Sequence, residues 1–169
     1  MAPNGWASTP SKDLRKMLAY AIEETSFPLG PLRPKIQDRL MKTAINPPSV
    51  RRPFGHYNHG LAVPAGARLL VTSGQLGLTT DDVIPDSVED QAVLCFEAIG
   101  AILRDGDMSF EDVIRISAFV TRREDFAPYM AVRDRYTGLI KPVSTLIIVS
   151  GFTRPEFLVE VEVTAAKID

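Results

Sequence analysis

Cysteine and histidine are scarce in this chain, and no segment is apolar enough to cross a bilayer. The single cysteine, Cys95, cannot form an internal disulfide, so nothing in the sequence calls for an oxidising compartment. It lies inside VLCFEAIGAIL, where a buried small hydrophobe is expected rather than a nucleophile. The two histidines, His56 and His59, have no cysteine partner and no carboxylate triad beside them, which argues against a metal site. There is no run of ~20 apolar residues. The N-terminus lacks a charged stretch followed by an apolar one, and a soluble cytoplasmic protein with no membrane partner is expected.

An excess of positive charge is also missing. With 19 Lys and Arg against 21 Asp and Glu, the net charge is −2, which provides no field to attract a phosphate backbone. Nucleic acid is not expected as a partner. No G-x-G-x-x-G or Walker pattern follows a strand, and no G-x-S-x-G elbow occurs, so no cofactor is expected.

What is present fits one globular domain behind an extension. The chain has 169 residues and is 45% hydrophobic, enough for a single core. Pro3, Pro10, Pro28, Pro31, Pro34, Pro47, Pro48 and Pro53 break its first third into short pieces, and residues 1–52 are expected to be a Pro-rich extension to a domain at 53–169. Two short helices are expected in the extension. Ser11 can cap one carrying Leu14, Met17, Leu18, Ala21 and Ile22 on a stripe, and Pro34 can start another carrying Ile36, Leu40, Met41 and Ile45.

From Tyr57 onward the pattern reads strand, strand, helix, strand, helix, strand, strand. HGLAVPAG and ARLLVTSGQLGL suggest paired strands joined by a turn at Pro64–Gly66. Ser87 opens a helix to Leu103, with Val88, Ala92, Cys95, Phe96, Ile99 and Leu103 at helical spacing and Gly106 as its stop. A turn of helix at Asp112 leads into a strand. Asp125 is a candidate cap for DFAPYMAVRDRYTGLI, a second helix ending near Gly138. VSTLIIVSG and FLVEVEVTAA are expected as central strands, the latter with Val159, Val161 and Val163 on one face and Leu158, Glu160 and Glu162 on the other. Two helices cover only one face of such a mixed sheet, so the other needs cover from further copies.

The segments HYNHG, VTSGQLGL, FEAIGAIL, ISAFV, KPVSTL and VEVEVTAA, in this order and spacing, resemble the YjgF/Rid family of reactive-intermediate deaminases, also called endoribonuclease L-PSP. The resemblance covers about the last two-thirds of the chain. It implies an α+β, chorismate-mutase-like fold: a mixed sheet with two helices on one face, closing as a trimeric barrel with sites in the clefts between subunits. It also implies roles for residues. Tyr57 matches a tyrosine beside the cleft, and Gly74, followed by Gln75, matches a glycine whose backbone approaches the ligand. Glu160 matches a glutamate that orients the water attacking an imine. In the deaminating branch an arginine follows the proline of a P-x-R segment and grips the substrate carboxylate, but here Pro142-Val143-Ser144 carries serine. With Ser144, Thr145 and Leu146 as its floor, the cleft is expected to be neutral and more apolar than in 2-aminoacrylate deaminases.

The residues themselves leave alternatives open. Glu160 and Glu162 are functional carboxylates or members of structural ion pairs. Alternation in an extended segment turns Tyr57 and His59 one way and His56 and Asn58 the other, so His59 is an acid–base group or a strand-edge residue. Arg122, Arg123, Arg133 and Arg135 are expected to be solvated, while Arg154, in the loop before the last strand, is a candidate replacement for the missing guanidinium. The expectation is a cofactor-free, hydrolase-like homotrimer acting on an imine, enamine or related unsaturated carbonyl compound by acid–base catalysis through Glu160, Tyr57 and His59. The competing expectation is a non-catalytic trimer that binds a metabolite or a protein partner.

Overall fold

Alternation in the last strand sets the architecture. The computed structural model describes residues 42–138 and 140–169, and in it Val159, Val161 and Val163 are buried while Glu160 and Glu162 are half-buried on the opposite face. That strand, β7 (Val159–Lys167), is central. It pairs antiparallel with β3 (Arg68–Val71), β4 (Gln75–Leu76) and β5 (Val113–Val120), and β5 pairs in parallel with β6 (Val143–Ile148). The result is a mixed five-stranded sheet in the order β3-β7-β5-β6, with β4 also on β7.

Two helices cover one face. Helix α1 spans Val88–Asp105, and the Ser87 hydroxyl accepts from the Asp90 amide to cap it. Glu89 and Asp90 in the first turn and Arg104 in the last complement its dipole. Its apolar stripe of Val88, Ala92, Cys95, Phe96, Ile99 and Leu103 is buried as expected. Each large side chain in it contributes roughly 1.5–3 kcal/mol by leaving water. Gly106 ends the helix where a Cβ would stand 2.3 Å from Leu70 Cδ1, so the stop is also a close approach to β3. A 3-10 turn at Phe110–Asp112 feeds β5, again as expected.

Helix α2 spans Phe126–Thr137, with Pro128 in its first turn and Gly138, at φ +54°, beyond its end. Asp125 does not cap it by its side chain. The carboxylate is instead buried and gripped by Arg122 at 2.8 and 2.9 Å, because a bidentate guanidinium outcompetes a single amide. Phe96 of α1 stacks on Tyr136 of α2, centroids 5.0 Å apart, and on Tyr129 at 6.2 Å. The Cys95 thiol is fully enclosed and burial pushes it up to about 12, in keeping with a packing role.

Three expectations are corrected by the strands. The helix expected from Pro34 to Ile45 does not reach that far: Thr43–Ile45 is β1, antiparallel to β2 (Gly60–Ala62), since Thr43 and Ile45 are β-branched and Pro47 prevents continuation. The helix expected from Ser11 and the earlier part of this one lie outside the described residues. The turn after Pro64 is present, with the Ala67 amide donating to the Pro64 carbonyl, but the strands around it are not partners: β2 joins β1, and β3 joins β7. Finally, β6 is an edge strand in the described sheet, paired only with β5.

The uncovered face carries apolar surface. Val71 on β3 is 70% exposed, Leu69 58% and Ile147 on β6 48%. Among the described residues no helix is long and apolar enough to cross a membrane.

Candidate functional site

The segment between β1 and β2 folds back on itself through side-chain amides. Asn46 donates to Asn58 Oδ1 at 2.8 Å and accepts the His59 amide at 2.9 Å. Asn58 donates to the Lys141 carbonyl at 2.6 Å, and His56 Nε2 meets the Ile140 carbonyl at 2.8 Å. Two residues of the predicted alternation therefore face the stretch before β6. The other two turn the opposite way, with the Tyr57 and His59 rings edge to face at 5.9 Å and Phe54 against Tyr57 at 5.8 Å. His59 Nε2 lies 2.6 Å from the Arg51 carbonyl, which fixes the imidazole and leaves Nδ1 as its other ring nitrogen. Tyr57 and His59 line a cavity of about 530 Å³ together with Arg52 and Lys141.

A second group forms where β4 meets β7. Leu76 pairs with Glu160, and the Glu160 side chain occupies the space above Gly74, where a Cβ would lie 1.6 Å from Oε1. A side chain there would displace the Glu160 carboxylate. Gln75 turns its amide onto the Ser73 and Gly74 carbonyls at 3.1 and 3.3 Å, stiffening the same turn. Glu162, one pleat along, faces Ser117 of β5. Among the described residues neither glutamate has an ion-pair partner within 4 Å, so each carboxylate presents unneutralised charge on the uncovered face.

The third group is at the start of β6. Ser144 and Leu146 share the register of buried Ile116 and Ala118, so both turn to the helix side, whereas Thr145 lies beside Ser117 on the other face and is exposed. Sequence reasoning missed what Ser144 meets. Arg133 of α2, expected to be solvated, is only 2% exposed and donates to Ser144 Oγ at 3.2 Å and to the His56 carbonyl at 3.4 Å. Asp134 Oδ1 accepts from the same guanidinium at 2.5 and 2.9 Å. A guanidinium thus does stand at Ser144, but it comes from a helix, is largely neutralised and is closed off from solvent in the single chain. The available signal was spacing, since Tyr129, Arg133 and Thr137 recur every fourth residue and all three are buried. Arg154 is held elsewhere, by Asp82 at 3.0 Å and over the Phe157 ring at 5.5 Å.

One chain therefore joins Tyr57 to His59, Gly74 and Gln75 to Glu160, and Ser144 to Arg133, as three groups on different elements.

This fold matches known proteins. The family model described as endoribonuclease L-PSP covers residues 49–167. A RutC family protein of Pyrococcus horikoshii is 30% identical over 129 residues, 75% of this chain and 99% of the relative. Among solved structures, a Rid-family protein of unknown function from Yersinia pestis superposes with a TM-score of 0.64 at 21% identity, over 73% of this chain and 97% of that one. The Escherichia coli TdcF structure with bound serine has a TM-score of 0.57 at 26% identity, over 75% of this chain and 99% of that one. The chain belongs to the YjgF/Rid family, the family of endoribonuclease L-PSP and the RutC proteins.

Proposed function

We propose that the protein is a cofactor-free hydrolase of imines, enamines or related unsaturated carbonyl compounds, working in clefts between the subunits of a homotrimer. The observation that carries this reading is Glu160, a carboxylate without an ion-pair partner among the described residues, set against the Gly74 backbone, where any side chain would displace it. A carboxylate in that setting can accept a proton from water while the adjacent backbone fixes the substrate. Glu160 is the general base. Tyr57 or His59 delivers the proton to the leaving nitrogen, Gln75 and Gly74 border the substrate, and Thr145, on the same sheet face as Glu160, forms the far wall, while Ser144 and Leu146 back it from the helix side.

Because the three groups are separate in one chain, the trimer is an essential part of the proposal. The exposed Leu69, Val71 and Ile147 give the uncovered sheet face a reason to associate, since surface of this kind is stabilised by burial against a second copy. With Ser144 in place of arginine and Arg133 already paired, the wall has no open guanidinium for a carboxylate next to the imine carbon, so 2-aminoacrylate is not the substrate. The catalytic domain is residues 53–169, residues 1–52 are an extension joined to it through β1, and the setting is a specialised pathway of the cytoplasm.

The test uses imines generated in place by an amino-acid oxidase, together with a cyclic imine, and follows ammonia or ketone release. Replacing Glu160 by Gln is expected to lower turnover by about 10²–10⁴, the usual range for losing an acid–base group. No turnover with any imine would favour the metabolite-binding trimer, and full turnover in Glu160→Gln would remove the residue from the mechanism. A light-scattering mass of one chain would contradict the assembly.

A further inference from the structure

The cavity of about 530 Å³ between β1 and β2 has a lining of unusual charge. Arg52 and Lys141 both border it, His59 adds an imidazole, and no aspartate or glutamate takes part. In a chain with more acidic than basic residues, this is a local reversal of sign. Neither cation has an ion-pair partner among the described residues. The two amide side chains in the wall are already engaged, Asn46 with Asn58 and Asn58 with the Lys141 carbonyl, so they hold the frame and leave recognition to the cations. Arg51, the neighbour of Arg52, lies over the Phe54 ring at 5.6 Å, which braces the strand of loop that presents Arg52.

We infer that this cavity binds an oxyanion of the substrate, a carboxylate or phosphate set away from the reacting carbon, with Arg52 and Lys141 as its anchors and the Tyr57 ring as an apolar wall. Concave sites of about 300–1,000 Å³ with a few convergent polar groups are the usual form of a small-molecule site. A guanidinium and an ammonium without competing carboxylates select for negative charge. The substrate places its anionic end in this cavity, beside the Tyr57 ring. This inference rests on the reading of Tyr57 and His59 as cleft residues.

The test is equilibrium binding, independent of turnover. Benzoate and benzamide are titrated calorimetrically into the full-length protein at low salt, with inorganic phosphate as competitor. Benzoate is expected to bind at least about tenfold more tightly than benzamide, a difference of about 1.4 kcal/mol. Added salt should weaken the acid and spare the amide. The double variant Arg52→Gln, Lys141→Gln should lose the preference while keeping the melting temperature of the native protein. If that variant does not fold, the salt dependence in the native protein decides. Competition by phosphate that disappears in the double variant extends the site to oxyanions in general. Equal binding of acid and amide with no competition by phosphate overturns the inference, as does an acid preference that survives both substitutions. Failure of the imine assay alone would leave the anion site standing, and failure here would leave the imine reading standing.

Discussion

Helices α1 and α2 pack on each other over one sheet and share a core, yet they bury different chemistry. The inward face of α1 is almost wholly apolar, its one buried amide, Gln91, being satisfied by the Pro85 and Glu156 carbonyls and the Leu158 amide at 2.8 Å each. The inward face of α2 instead carries Tyr129, Arg133 and Thr137, and the Tyr129 and Thr137 hydroxyls have no hydrogen-bond partner among the described residues. Burial holds the Tyr129 phenol well above its usual range, with the Arg133 charge pulling weakly the other way. One helix is therefore held by area removed from water. The other trades some of that for a guanidinium delivered to the start of β6 and to the His56 carbonyl, where two of the site's segments meet.

Three substitutions would break or sharpen this contrast. Phe96→Ala, which empties the space against both Tyr129 and Tyr136, should cost about 3–5 kcal/mol in denaturant unfolding, and a much smaller loss would mean that the aromatic stack carries little of the core. Arg133→Met should cost less, about 2 kcal/mol, because Asp134 keeps 47% of its side chain in water and is not stranded as a buried charge. Its distinguishing effect is local: amide exchange at Tyr57–His59 should quicken while that of α1 stays as in the native protein. Tyr129→Phe should change stability by no more than about 1 kcal/mol in either direction, since the hydroxyl it removes satisfies nothing. A loss well beyond that would show that Tyr129 has a partner, such as an ordered water, and that the α2 column is a continuous polar network.

Which parts of the molecule were legible in the sequence follows the same division. The stripe of α1 and the alternation of β7 depend on residues a few positions apart, so their period alone placed helix, strand and buried face. The six family segments likewise placed the fold. Arg133 was not legible, because its burial depends on Ser144 and His56, brought to it from other elements by the packing of the chain. Asp125 has the composition of a cap, but Arg122 three residues earlier competes for it, and propensity takes no account of the competitor. The pairing of β1 with β2 is equally non-local, and a helical stripe ending in Thr-Ala-Ile reads as well for three strand residues when no partner is specified. Gly74 and Glu160 were each recognised, but their close contact, which a side chain at position 74 would displace, needed coordinates.

The β1–β2 ribbon pairs Ile45 with Gly60 and so pinches the chain between them into a closed ring at its base. Closing a ring depends only weakly on its circumference, each doubling in length costing about 0.6 kcal/mol. Residues can be added to or removed from the rim while the clasp and the five-stranded floor keep their register. A lineage can thus reshape the cavity bordered by Tyr57 and His59 and leave the Gly74–Glu160 contact untouched.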